Sequence, residues 1–433
     1  MKEKPIRLAT GIYILILIIG YMYFVPEFPY KHVVPNYFLL IIVSVLAFIP
    51  SLWIPVEIKR ASSFVLWVIY IVVIVPSIVI PYLSLEKPFV DVLTFILAVI
   101  LCFYLVSRIT FFRLIKVSPI ELSPIAFYVL FFLIFAVNNY LLIKQFGLNL
   151  NFVSILDVYD VRASFKDELG EGSNYSIRWL MYIFNPFLIA MGYLKKSTRW
   201  LLVIGFFGEF IIYSTTGFKT ALFIGFVIVA ILYFSQRYNM LKRLPLLIIS
   251  GTVVLIGLAM LVDFFIFNEQ SATPNIVTSI ALRRTFVMPG YLTGQYFSFF
   301  SENPKALMSS NNFIGSLFSN GPVYNVAVPY IIGQFSFNND VASANANVLA
   351  DAFANFGYIG MIVFSLILSF YLYIYDSVTR LIDFRLSFAM LIGPAMFFCN
   401  SSLLTALIGH GAIWAIIILY FYQSVSISNG KNN

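Results

Sequence analysis

Three carboxylates, Glu209, Asp263 and Asp351, interrupt runs of residues that are otherwise almost wholly apolar. A charge inside such a run is costly and marks function more often than architecture; the alternative for each is an interfacial carboxylate paired with a base or with water. Cations of matching chemistry are grouped. Arg283 and Arg284 are neighbours in IVTSIALRRTFVMPGYLTGQYFSFFSENP, ahead of Tyr291, Tyr296, Phe297, Phe299 and Phe300. Arg162 and Arg178 stand among acids in LDVYDVRASFKDELGEGSNYSIRW. Because the guanidinium fork donates two parallel hydrogen bonds, either group can hold an oxyanion. For the second group the alternative is a solvated charged loop.

Lys219, in STTGFKTALF, falls in the first turn of an apolar helical run. A helix N-terminus carries a partial positive charge, so a cation there calls for a nearby anion. Ser214, Thr215 and Thr216 are expected to cap, and Gly217 to let the backbone approach closely. The other reading is a lysine that snorkels to the membrane interface. QFSFNNDVASANANVLADAFANFG supplies Asn338, Asn339, Asp340, Asn345, Asn347, Asp351 and Asn355 beside aromatics, a composition suited to sugar hydroxyls and pyranose faces as well as to caps and turns. His32 and His410 are the only histidines, and Cys102 and Cys399 lie in separate runs. With no Asp-x-Asp and no glycine-rich fingerprint, a zinc site, a disulfide framework and a metal-held nucleotide sugar are set aside, and no cofactor or metal is expected. His410 reads as a packed or interfacial side chain.

What must position these residues is a membrane bundle. The chain is 61% hydrophobic and 11% charged, with a mean hydropathy of +0.93, whereas roughly a quarter of a soluble domain is charged. Apolar runs near the length that crosses a bilayer fall at 8–25, 36–55, 61–83, 89–108, 124–143, 179–194, 200–214, 218–235, 244–268, 347–375, 386–404 and 408–427. They predict an all-α polytopic membrane protein of about twelve spans, forming a single integral membrane domain over 1–433. The first run lacks a small-residue cleavage site, so it is expected to be a retained helix.

Most of the 27 basic residues, among them Lys59, Arg60, Arg108, Arg113, Lys195, Lys196, Arg380 and Arg385, fall in alternate loops. The positive-inside rule then puts both termini in the cytoplasm and the two long loops, 144–178 and 264–345, outside. The net charge of +8 is accounted for by this distribution and implies no nucleic-acid partner. Pro274-Asn275 and Pro289-Gly290 are expected to divide 264–345 into short helical pieces that form a binding surface against the membrane. If 275–288 is a helix lying on the bilayer, about 3.6 residues per turn places Arg284 on the line of Ile276 and Ile280. Arg284 is then expected at the buried stripe and Arg283 toward solvent.

YDVR at 159–162, Gly-x-Lys-Thr at 217–220, RRTFVMPGYLTGQYFSFFSENP from Arg283 and NANVLADAFANFGYIG from Asn345 resemble the bacterial O-antigen, or oligosaccharide repeat-unit, polymerases. The resemblance covers about residues 155–425. It implies a multi-pass enzyme of the bacterial inner membrane, similar to the GT-C-like lipid-linked glycosyltransferases. Its substrates would be polyprenyl-pyrophosphate-linked oligosaccharides and its partners the lipid bilayer and a polysaccharide chain-length regulator. Functional arginines of the outer loops fall, on this resemblance, at Arg162, Arg283 and Arg284. Lys219 joins them on the departing pyrophosphate, whose developing charge needs fixed cations. Asp351 leads as the base for the attacking hydroxyl, with Glu209 behind it; Arg284 is the expected transition-state stabiliser, and Tyr291, Asn345 and Asn347 complete the substrate-binding set. Three other readings remain: a lipid-linked oligosaccharide flippase or similar transporter, a structural assembly partner for a polysaccharide complex, and an O-antigen ligase. The ligases use a histidine in their large outer loop, and 264–345 has none.

Overall fold

The computed structural model describes residues 3–25, 30–150, 152–153, 161, 165, 170–238, 243–266, 276–309, 317–318 and 321–431, and every regular element among them is a helix. In chain order these are α1 Glu3–Phe24, α2 Tyr37–Leu52, α3 Ala61–Ser84, α4 Phe89–Phe111, α5 Pro124–Phe146, α6 Gly172–Leu194, α7 Arg199–Thr216, α8 Lys219–Tyr238 and α9 Leu244–Ile266. There follow α10 over 276–302, α11 Val328–Phe337, α12 Val348–Thr379, α13 Phe384–Asn400 and α14 Ala412–Lys431. A helix covers each apolar run of the sequence. Among the described residues seven helices are long and apolar enough to cross a membrane: α1, α3, α4, α5, α6, α9 and α12.

Prolines shape three of these helices in one way. Proline lacks the amide donor and its ring collides with the carbonyl four residues back, and a stretch of wider π-helix upstream relieves both problems. Tyr70–Ile74 is such a stretch before Pro76, Leu180–Phe184 before Pro186, and Ser279–Val287 before Pro289. Pro289 therefore does not break α10, which continues through Met288–Glu302.

That continuation is core and not the expected membrane surface. Tyr291, Tyr296, Phe297 and Phe300 are buried, because α10 packs against α3 where a Cβ on Gly290 would stand 2.4 Å from the carbonyl oxygen of Pro76. Only glycine admits so close an approach. Lipid is as apolar as these side chains, so their packing contributes through dispersion and close fit more than through removal from water.

Both ends of α10 lie on one face of the bundle. Asp263, at the end of α9, accepts from the amides of Val277 and Thr278 at 3.1 and 2.6 Å; Lys87, just past α3, pairs with Glu302 at 2.6 Å. The basic loops gather at the other face, where Arg60 reaches the carbonyls of Ile109 and Phe112 and Tyr373 donates to that of Arg113.

The helix over Val348–Thr379 is broken at Gly357, whose φ of 63° and ψ of −147° turn the chain back. The carbonyl of Ala352 comes to face Gly360, and Asn347, Val348 and Leu349 share a small cavity with Leu368. Carbonyls freed by the break are taken up by the preceding loop: Ala306 N donates to Ala354 O at 2.9 Å, and Leu307 N to Asn355 O at 3.3 Å. The 22 residues after the break suffice to span, at about 1.5 Å each, leaving 348–356 as a half-helix folded back beside them.

Candidate functional site

A cavity of about 670 Å³ opens at the face that holds the two ends of α10. Arg178 of α6 and Arg284 of α10 line it, together with Asn345, Ser401, Thr405 and His410, and no carboxylate does so among the described residues. Arg178 is fixed from two sides. Its Nε donates to Asn174 Oδ1, one turn earlier, at 2.8 Å, and its Nη1 lies 3.1 and 3.3 Å from Nδ1 and Nε2 of His410. The imidazole stacks on Phe397, ring centres 3.7 Å apart and 11° from parallel, with Ser401 Oγ 3.2 Å from Nε2. With its hydrogen on Nε2 the imidazole accepts from Arg178 at Nδ1 and donates to Ser401; with it on Nδ1, Nε2 accepts from Arg178 or Ser401. The result is a guanidinium held from two sides in the wall of the cavity.

A second cavity, of about 290 Å³, adjoins the first and shares Asn345, Ser401 and Thr405 with it. Its charged residue is Asp351, on the half-helix. Asp351 Oδ1 accepts from Asn355 Nδ2 at 3.1 Å, whereas Oδ2 is occluded and has no hydrogen-bond partner. Asn355 also fixes the rim, accepting from Met308 N at 2.7 Å. A cationic chamber thus meets a chamber with one carboxylate across a seam of amide and hydroxyl groups.

Of the residues named from sequence, Arg178, Arg284, Asn345 and His410 are brought to the first chamber, and Tyr296, Asn345, Asp351 and Asn355 to the second. The others are placed elsewhere, apart from Arg162, which lies outside the described residues. Lys219 is exposed at the start of α8 while its neighbours Phe218 and Thr220 line the cavity. Ser214, Thr215 and Thr216 do not cap α8 as a set, because their hydroxyls bond back to the carbonyls of Phe210, Ile211 and Ile212. Glu209 is buried, both oxygens lacking hydrogen-bond partners, and lines neither chamber. Asn347 caps the half-helix through the amides of Leu349 and Ala350 and donates to Thr293 Oγ1 at 2.6 Å. Tyr291 is a core residue against Tyr30.

The arginine pair is oriented opposite to the expectation. Arg283 is half-buried, with Nη1 3.4 Å from Tyr30 OH and the guanidinium 5.9 Å from that ring, and Arg284 is the exposed member. The 279–287 stretch is π-helical, so the i,i+4 line from Ile280 to Arg284 does not hold. Arg284 nevertheless is the one that faces the chamber.

Two chamber residues were given less weight by the sequence: Arg178, named with Arg162 as an oxyanion holder or part of a solvated loop, and His410, read as packed or interfacial. Arg178 had been grouped with a charged loop, but α6 begins at Gly172 and carries it into the bundle. One signal was present: Asn400-Ser401-Ser402 interrupts an apolar run eight residues before His410. No family model, curated protein or solved structure matches the chain.

Proposed function

We propose that the protein is a glycosyltransferase that polymerises polyprenyl-pyrophosphate-linked oligosaccharide repeat units into O-antigen or a similar surface polysaccharide. It would act on the outer side of the bacterial inner membrane, with all twelve apolar helices as spans, a GT-C-like layout and cytoplasmic termini. The observation that carries this reading is the junction of the two chambers. A chamber with two arginines and, among the described residues, no carboxylate suits the pyrophosphate of the donor, and a chamber lined by Asp351 suits an acceptor hydroxyl.

In the reaction so read, the acceptor hydroxyl attacks the anomeric carbon of the donor at the seam. Asp351 takes its proton, the glycosidic bond forms, and the bond from the anomeric carbon to pyrophosphate breaks. Charge that develops on the leaving pyrophosphate is met by Arg178 and Arg284, held in place before the reaction, which is where fixed cations contribute most. Outside the membrane no nucleotide sugar is at hand, so a lipid-linked donor is the consistent one. The gathering of bases at the opposite face supports the outward placement.

His410 in the arginine chamber supports a ligase as the second reading, with the same donor but a different acceptor. The lipopolysaccharide of a deletion strain separates them. A polymerase mutant retains molecules capped with one repeat unit, whereas loss of a ligase or a flippase removes capping altogether; a wild-type ladder excludes all three.

A further inference from the structure

An apolar groove of about 450 Å³ runs between α5 and the start of α6, with Leu133, Val137 and Leu141 on one wall and Gly172, Tyr175 and Trp179 on the other. It backs onto the arginine chamber. One side of α6 turns Tyr175 and Trp179 to the groove while Arg178 and Met181 turn to the chamber. Residues 408–410 form the rim between them: Trp179 Nε1 donates to Ile408 O at 2.8 Å, and His410 receives Arg178. Asn138, in the groove wall, donates its amide to Ile134 O at 2.8 Å, so the groove offers a hydrocarbon surface. A site for an oxyanion and a site for hydrocarbon therefore share one rim, and an amphiphile with an anionic head and a single long tail complements both.

We propose that this groove binds the first isoprenyl units of the lipid carrier whose pyrophosphate lies at Arg178. The proposal rests on the reading of the substrate as a polyprenyl pyrophosphate, and it adds where the tail leaves the site. The α5 wall from Leu133 to Leu141 rises over about 12 Å at 1.5 Å per residue, a continuous track down the helix toward the membrane interior. A tail held there would fix the direction in which the pyrophosphate enters the chamber.

The test uses the full chain in phosphatidylcholine nanodiscs, with inorganic pyrophosphate and geranyl diphosphate as probes. Both should bind, the prenyl compound about tenfold more tightly or better, the effect of burying roughly two methylene groups. Gly172→Leu and Val137→Trp should abolish that difference without weakening pyrophosphate. A Cβ on Gly172 meets nothing within 4 Å and Val137 is half exposed, so both changes fill the groove without disturbing the core. Gly251→Leu, on α9 with equally open surroundings, should keep the full difference and so excludes simple partition into the disc. Arg178→Ala should weaken both probes. If pyrophosphate binds but the prenyl group adds nothing, or the groove variants keep its gain, the groove assignment is overturned while the anion site stands. Displacement of geranyl diphosphate by phosphatidylglycerol as readily as by a longer prenyl diphosphate overturns the choice of occupant. Binding of neither probe removes the anion site and with it the polymerase reading.

Discussion

Replacing Arg178 tests the site at the arginine that is fixed from two sides. Arg178→Ala deletes the guanidinium that spans Asn174 and His410 and faces the larger chamber. A fixed donor aimed at developing charge is worth about 2.7–4 kcal/mol, so the rate of chain growth should fall by about 10²–10³. The fold should tolerate the change, because the two partners left behind each lose one hydrogen bond, on the order of 1 kcal/mol apiece. Arg178→Lys keeps the charge, but one ammonium cannot reach both the Asn174 amide oxygen and the imidazole while leaving donors for a ligand. Its rate should lie between those of Ala and the wild type. The assay is elongation of a lipid-linked repeat unit by reconstituted protein at matched amounts, read as product lengths on a gel. Elongation by Arg178→Ala within about twofold of wild type, a barrier change under about 0.5 kcal/mol, would remove the chamber from the reaction.

Four further outcomes follow. Arg284→Lys should lose most elongation activity and Arg283→Lys little, since Arg284 faces the chamber and Arg283 is engaged with Tyr30; equal losses would show that the chamber does not discriminate them. Gly290→Ala sets a methyl group against the Pro76 carbonyl and should lower stability by about 1–3 kcal/mol, seen in thermal unfolding; an unchanged midpoint would contradict the close approach of α10 to α3. Asp263→Asn should remain active because asparagine also caps helices, whereas Asp263→Ala should cost about 0.5–2 kcal/mol of stability; an Asn variant as inactive as a catalytic knockout would return Asp263 to a charge-dependent role. A cysteine at exposed Val341 should react with a membrane-impermeant thiol reagent from outside, and one at Ser197 should not. The reverse pattern would invert the topology.

How far the sequence reached follows from what each signal measures. Run length and hydropathy report burial in lipid, so the helices over the apolar runs were legible from composition alone. Backbone chemistry that departs from regular periodicity was not. The π-helix over Ser279–Val287 departs from the 3.6-residue period on which Arg284 was expected at the buried stripe, and the turn at Gly357 folds a half-helix back where hydropathy shows one long run. Asp351 was found because a charge in an apolar run is conspicuous, and the same rule singled out Asp263, which serves as a helix cap. Charge alone does not separate a carboxylate facing a chamber from one spent on backbone amides. Arg178 was left between two readings for the opposite reason, since acidic neighbours made the segment before it look solvated. Its role depends on His410, 232 residues away, a distance over which spacing carries no information.

The most direct measurement is the reaction itself. Purified protein in nanodiscs, given only a polyprenyl-pyrophosphate-linked repeat unit and no nucleotide sugar, should convert it into a ladder of longer lipid-linked chains. Arg178→Ala and Asp351→Asn should each slow that conversion at unchanged protein level, Arg178→Ala through loss of leaving-group stabilisation and Asp351→Asn through loss of the base. A substrate that remains at one repeat unit with the wild-type protein, or a ladder made equally well by both variants, would contradict the account.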